Sequence, residues 1–186
     1  MAVFGETKKN PIWVEPALQG LAFWLGYRKQ LFQHHDLPEG ALVAELSSII
    51  YAHIGQDEKL ECEFHYSNLI ADPDLSRVDI ALLREDIPHT FIEVKRGKVA
   101  TKLIDADINK LSRVRESNPT IRCFLIIGSQ GKLPSRFVDR ETGRAIRGLQ
   151  ENSDGVRYKV TRVCKAAASF EKKETAMYVC LVEVVL

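Results

Sequence analysis

Asp79, Glu93 and Lys95 are the residues of this 186-residue chain whose types and spacing fit a chemical task. Glu93 and Lys95 stand two apart in a largely apolar run, so in an extended strand they share one face. Glu85, Asp86, Ile87 and Pro88 read as a tight turn between two strands. For a turn centred near residue 86, the numbers of facing partners sum to about 172, which sets Asp79 against Glu93 with Cβ atoms ~5 Å apart. Like charges so placed are destabilising in an ordinary sheet. The neighbours Val78, Ile80, Leu82, Phe91, Ile92 and Val94 give little access to water, so a cation is needed. Lys95 supplies one positive charge and a divalent ion would supply more. Hard cations such as Mg2+ take oxygen ligands from one or two carboxylates and keep waters facing substrate phosphate. An ion there activates water and neutralises phosphate charge, while the Lys95 ammonium steadies the attacking water or the developing negative charge. The plain alternative is a salt bridge on a solvated sheet face.

The elements that must hold these residues follow from hydrophobic period. Val14, Leu18, Leu21 and Leu25 repeat as a helix over residues 13–33, and Leu42, Leu46, Ile49 and Ile50 predict a second over 39–54, closed by Gly55. Leu60–Tyr66 alternates as a strand, with Leu60, Cys62 and Phe64 on one face. A loop over 67–76 follows, then the two strands Arg77–Arg84 and His89–Arg96. Leu103, Ile104, Ile108, Leu111 and Val114 predict a helix over 101–117, ended by Asn118-Pro119. Ile121–Ile127 is apolar throughout, as in a strand buried on both faces. Residues 128–152 read as irregular, and two further strands are expected near 156–164 and 176–186. One crossover helix within a mixed order implies an α/β sandwich around a mixed sheet. The chain is expected to be one domain: a helical extension over 1–38, a core over 39–127, and a loop with terminal strands over 128–186.

In that element order, Asp79 followed by Glu93-Val94-Lys95 resembles the PD-(D/E)xK nuclease superfamily, whose fold is the restriction-endonuclease-like three-layer sandwich with helices flanking a central mixed β-sheet. The resemblance covers residues 39–127 and departs from the motif at Val78, where the name-giving proline would stand. It implies Mg2+, with Mn2+ able to substitute, bound by Asp79, Glu93 and the Val94 backbone carbonyl. It also implies Lys95 as catalytic assistant and a helix acid, matched here to Glu45 beside Leu42, Leu46 and Ile49. Asp107 and Lys110 on the crossover helix are secondary candidates for the cleft.

Formal net charge is only +1, which on its face disfavours a binder that works by bulk positive field. Partitioned, the charge is −8 over residues 1–93, +8 over 94–150 and +1 over 151–186. Lys and Arg clusters bind phosphate backbones. Arg96, Lys98, Lys102, Lys110, Lys132, Arg136, Arg140 and Arg144 are therefore the candidate nucleic-acid contacts, the stretch from 132 to 147 foremost. Pairing with the acidic half is the plain alternative. The remaining features exclude more than they offer. Cys62, Cys123, Cys164 and Cys180 form no Cys-x-x-Cys pair and read as buried reduced thiols. His34-His35 cannot share a metal on a helix, and His53 suits a helix end. The apolar helix with Trp13, Phe23, Trp24 and Phe32 reads as packing or a homodimer surface. Residues 1–11 lack the order of a signal peptide, and no apolar run approaches ~20 residues, so a cytoplasmic, non-membrane protein is expected. The expected function is a metal-dependent nuclease, most naturally a DNA endonuclease of defence, repair or recombination. The alternatives are a non-catalytic nucleic-acid-binding or assembly module on the same fold and a hydrolase of small phosphates.

Overall fold

The structure is a computed structural model that describes residues 9–31, 37–70, 72, 76–166 and 176–186. Phe32, His34, His35, Asp36, Pro73 and Asp74 lie outside the described residues. Three helices, α1 (Val14–Leu31), α2 (Glu39–Tyr51) and α3 (Thr101–Ser117), pack on a sheet of seven strands. The strands are β1 (Glu58–His65), β2 (Arg77–Arg84), β3 (Ile87–Arg96), β4 (Arg122–Ser129), β5 (Leu149–Glu151), β6 (Arg157–Lys165) and β7 (Tyr178–Val184). Their spatial order is β1-β2-β3-β4-β7-β6-β5. Among the described residues only β3 and β4 pair in parallel, because α3 carries the chain back across the sheet between them; the other pairs described are antiparallel. The mixed α/β sandwich expected from the pattern is therefore present. β5 was not anticipated, and residues 128–152 are more ordered than expected, with a Val138–Ala145 bridge closing a turn. Among the described residues no helix is long and apolar enough to cross a membrane.

Each face of the sheet has its own core. On one side, Leu18, Leu21 and Leu25 of α1 and Leu42, Leu46 and Ile50 of α2 cover Ile80, Ile92, Val94, Phe124 and Ile126. On the other, Ile104, Ile108, Leu111 and Val114 of α3 cover Ala81, Phe91, Leu125 and Ile127. The period-two alternation of β3 thus sends Phe91, Glu93 and Lys95 toward α3, and Ile92 and Val94 away from it. Phe23, Tyr27 and Leu31 remain exposed along one line of α1, the surface expected to serve a homodimer.

Three local details differ from expectation, each with a cause. Helix α2 stops at Tyr51, not 54: the Ala52 and His53 N–H groups close the last turn on Ser48 and Ile50 carbonyls. The His53 ring caps the Ile49 carbonyl at 2.8 Å, as its place at a helix end suggested. On β1, Glu63 has φ 54°, and this left-handed residue breaks the alternation, so Leu60 packs on the α1/α2 side and Phe64 on the α3 side. Cys62, just before the break, is exposed rather than buried; Cys123, Cys164 and Cys180 are buried free thiols. The hairpin turns at Glu85 and Asp86 alone, both with positive φ, as a two-residue primed turn requires. β3 therefore begins at Ile87 and includes Pro88, which precedes the first β3–β4 pair at Thr90 and so costs that ladder no donor.

Leu42 of α2 sits directly over Gly128 of β4. A Cβ there would stand 2.6 Å from Leu42 Cδ2. Gly128→Val is expected to push α2 off β4 and to lower stability by ~1–3 kcal/mol. Urea denaturation of the two proteins measures this directly.

Candidate functional site

The hairpin opens where the chemistry-bearing residues begin. A bulge between Leu82 and Leu83 shifts the register, so partner numbers change between the turn and the Leu82–Thr90, Ala81–Phe91 and Ile80–Ile92 pairs. The expected juxtaposition of Asp79 with Glu93 is the next step of this ladder, but main-chain pairing ends at Ile80–Ile92. Beyond it, the Val94 N–H donates to Asp79 Oδ2 at 2.7 Å, so a side chain takes the place of a strand carbonyl. In an extended strand the N–H and C=O of one residue point the same way. The Val94 carbonyl therefore also faces the Asp79 side.

Four carboxyls and two ammoniums meet in this opening. Lys95 Nζ lies 2.8 Å from Glu39 Oε1 at the start of α2 and 3.4 Å from Asp107 Oδ2 on α3. Lys110 Nζ lies 2.6 Å from Glu93 Oε1 and also donates to the Arg77 carbonyl at 2.6 Å. The hydroxyl of fully buried Tyr66, in the 3-10 turn after β1, donates to the same Glu93 oxygen at 3.1 Å. Its ring stacks edge-on against Phe91 and carries the Lys110 ammonium 5.2 Å from its centroid.

Burial sets the protonation of these groups. The Glu93 side chain is 3% exposed, and burial pushes its carboxyl up to about 8 against the pull of Lys110; Asp79 adds to the rise. Burial also raises Asp79 and Asp107. Asp79 is held back by the Val94 N–H, Lys95 and a hydrogen bond from Glu93, and Asp107 by Lys95 and Lys110. For Lys95, burial alone would lower the pKa, but the Glu39 hydrogen bond, Asp107 and Asp79 together drive it above the usual lysine value. Lys95 is therefore a fixed cation at neutral pH. Fully ionised, the four carboxyls would exceed the two ammoniums by two negative charges, and proton uptake at Glu93 relieves part of that excess.

The donors suit a hard divalent cation: carboxylate oxygens of Asp79 and Glu93 and the Val94 carbonyl on the same side. No group of three or more His, Cys, Asp or Glu is arranged to hold a metal ion among the described residues. Any ion would then take its remaining positions from water or substrate. Glu45 is half-buried on α2 and has no hydrogen bond or ion pair with this cluster among the described residues. The α2 acid that reaches the opening is Glu39. Its signal was available: Pro38-Glu39 opens the helix, and a helix N-terminus meets the strand ends that carry such sites. Tyr66 was missed because only the fold shows that the chain after β1 turns its hydroxyl inward.

The candidate cations separate by face. Lys95 and Lys110 belong to the cluster. Arg96 points to the opposite face, where it donates to the Leu37 carbonyl at 3.3 Å. Arg136 is engaged in the fold: Nη2 lies 2.5 Å from Asp105 and Nε donates to Tyr158 at 3.0 Å. Lys98, Lys102, Lys132, Arg140 and Arg144 are exposed. Comparison with protein-family models, curated proteins and solved structures finds no match.

A carboxyl with a raised folded pKa keeps its proton where the unfolded chain has lost it, so stability declines as pH rises from 4.5 to about 8. Glu93→Gln is expected to flatten that decline and to melt a few degrees above the wild type near pH ~8.5. Thermal melts at pH ~5 and ~8.5 check this, since the two proteins should differ far less at the lower pH.

Proposed function

We propose that the protein is a metal-dependent phosphodiesterase acting on nucleic acid, most naturally a DNA endonuclease on a restriction-endonuclease-like fold. The observation that carries this reading is the excess of buried carboxylate over ammonium at the mouth of an opened hairpin, with the Val94 carbonyl turned the same way. Asp79, Glu93 and the Val94 carbonyl would hold Mg2+ or Mn2+. Such an ion supplies an activated water and neutralises charge on the phosphate. Asp79 fixes one oxygen on the Val94 N–H and keeps the other for ligation. Lys95, held permanently charged, cannot accept a proton at neutral pH. It acts as a donor to the attacking water or to the phosphate oxygen that gains charge. Glu39 and Asp107 hold the Lys95 ammonium from two elements and restrict its rotamers.

The basic segment supports a polyanionic substrate. Phe137 and Val138 pack into the core on the α3 side, so the 129–147 segment with exposed Lys132, Arg140 and Arg144 lies on the face that also carries Asp79, Glu93 and Lys95. One observation favours the second reading, a non-catalytic nucleic-acid-binding or assembly module. Lys95 and Lys110 already pair with three of the four acids, so an ion network that only stabilises the fold would look similar.

Incubation with supercoiled plasmid, single-stranded DNA and RNA in Mg2+ or Mn2+ separates the two. The wild type is expected to cleave with metal and to stop with chelator. Lys95→Ala is expected to lose about 10²-fold or more in rate while still folding. Cleavage by Lys95→Ala at the wild-type rate contradicts the assignment. Absence of cleavage by the wild type on all three substrates favours the module.

A further inference from the structure

Lys110 has no part in the ligand and catalytic roles assigned to Asp79, Glu93 and Lys95, yet it binds the most buried carboxyl in the cluster. Both the Lys110 ammonium and the Tyr66 hydroxyl converge on Oε1 of Glu93. The two donors differ in freedom. Tyr66 is fully buried and wedged against Phe91. The Lys110 side chain is 21% exposed, against 3% for Glu93, so the ammonium sits between a buried carboxyl and solvent. It also donates to the Arg77 carbonyl, lies over the Tyr66 ring and feels the charge of Asp107 one helical turn away. A lysine on a flexible four-carbon stem can leave such a position, where the Tyr66 hydroxyl on its packed ring cannot.

Resting on the metal-dependent reading above, we propose that Lys110 is a resident cation at the Glu93 carboxyl, which a divalent cation must displace and which nucleic-acid phosphate draws away. An ammonium and a metal ion on the same carboxylate repel each other and share its charge, so each weakens the other. A phosphate backbone gives the displaced ammonium a new partner. The consequence is coupling: polyanion and metal each tighten the other, by the same factor in both directions. Free metal alone would then load the site weakly, and loading would follow arrival of substrate.

Titration calorimetry of Mn2+ tests this without any turnover. The probe is a duplex DNA oligonucleotide with phosphorothioate linkages that resist cleavage. In the wild type, this DNA is expected to tighten Mn2+ binding roughly ten-fold. Lys110→Met is expected to bind Mn2+ tighter than the wild type without DNA and to lose most of the DNA effect. Lys110→Arg, which keeps a cation, should retain the coupling, and Lys110→Gln should repeat the behaviour of the Met variant, since both remove the charge. Asp79-dependent Mn2+ binding that is equal or weaker in Lys110→Met and Lys110→Gln overturns the lock and leaves the metal-dependent reading standing. Mn2+ binding that is absent in the wild type, or unchanged by Asp79→Asn, overturns both.

Discussion

The hydrogen bond from the Val94 N–H to the Asp79 carboxylate is the contact around which the rest of the site is arranged. It falls where the β2–β3 ladder ends, and it satisfies a main-chain donor that would otherwise be buried without a partner. By replacing the next rung of the sheet, the Asp79 side chain lets the two strands part without orphaning the backbone. The gap so formed lets Glu93, Lys95, Asp107, Lys110 and the end of Glu39 meet. Without the parting, the same strands would bring two carboxyls face to face in a closed hairpin with no room for compensating cations.

That geometry fixes the electrostatics. Glu93 is buried deeply enough to hold a proton near neutral pH, while Lys95 is ringed by acids and stays charged. One helix supplies both an acid and a base to the opening: Asp107 and Lys110 lie three apart on α3, on the face that also carries Ile104, Ile108 and Leu111 inward. The core on that face is therefore also the scaffold of the cluster. Close approach of α2 at Gly128 bears on Glu39 in a similar way, since Leu42 and Glu39 lie one turn apart. Packing on both sides of the sheet thus converges on a few charged groups at the opened end of β3.

Much of this was legible in the sequence, and the exceptions are instructive. The helix and strand periods located every long element, because each buries a continuous apolar face. Counting across the turn gave the right sum as far as the Ile80–Ile92 pair, one step short of Asp79 and Glu93, and only because a bulge at Leu82/Leu83 offsets a turn centred half a residue earlier than assumed. The exposure of Cys62 was illegible because β1 lies at the edge of the sheet, a position that alternation along the strand does not encode. Glu45 was singled out by its apolar neighbours, a criterion that finds the core-facing stripe of a helix but not its end. Arg136 read as a free cation from composition, whereas its pairing with Asp105 and Tyr158 depends on how residues 130–158 fold back on α3. Local pattern encodes elements and faces; charge partners across elements come from tertiary packing alone.

The central claim is that the surplus of buried negative charge exists to receive a divalent cation, with a proton standing in for it on Glu93. Calorimetric titration of Mn2+ in two buffers of different ionisation enthalpy, near pH ~7, counts the protons released as the ion binds. The account predicts release of about one proton per ion, with no release and no site-specific heat in Glu93→Gln. Binding heat that is independent of the buffer, or a wild type that takes up no Mn2+, would contradict it.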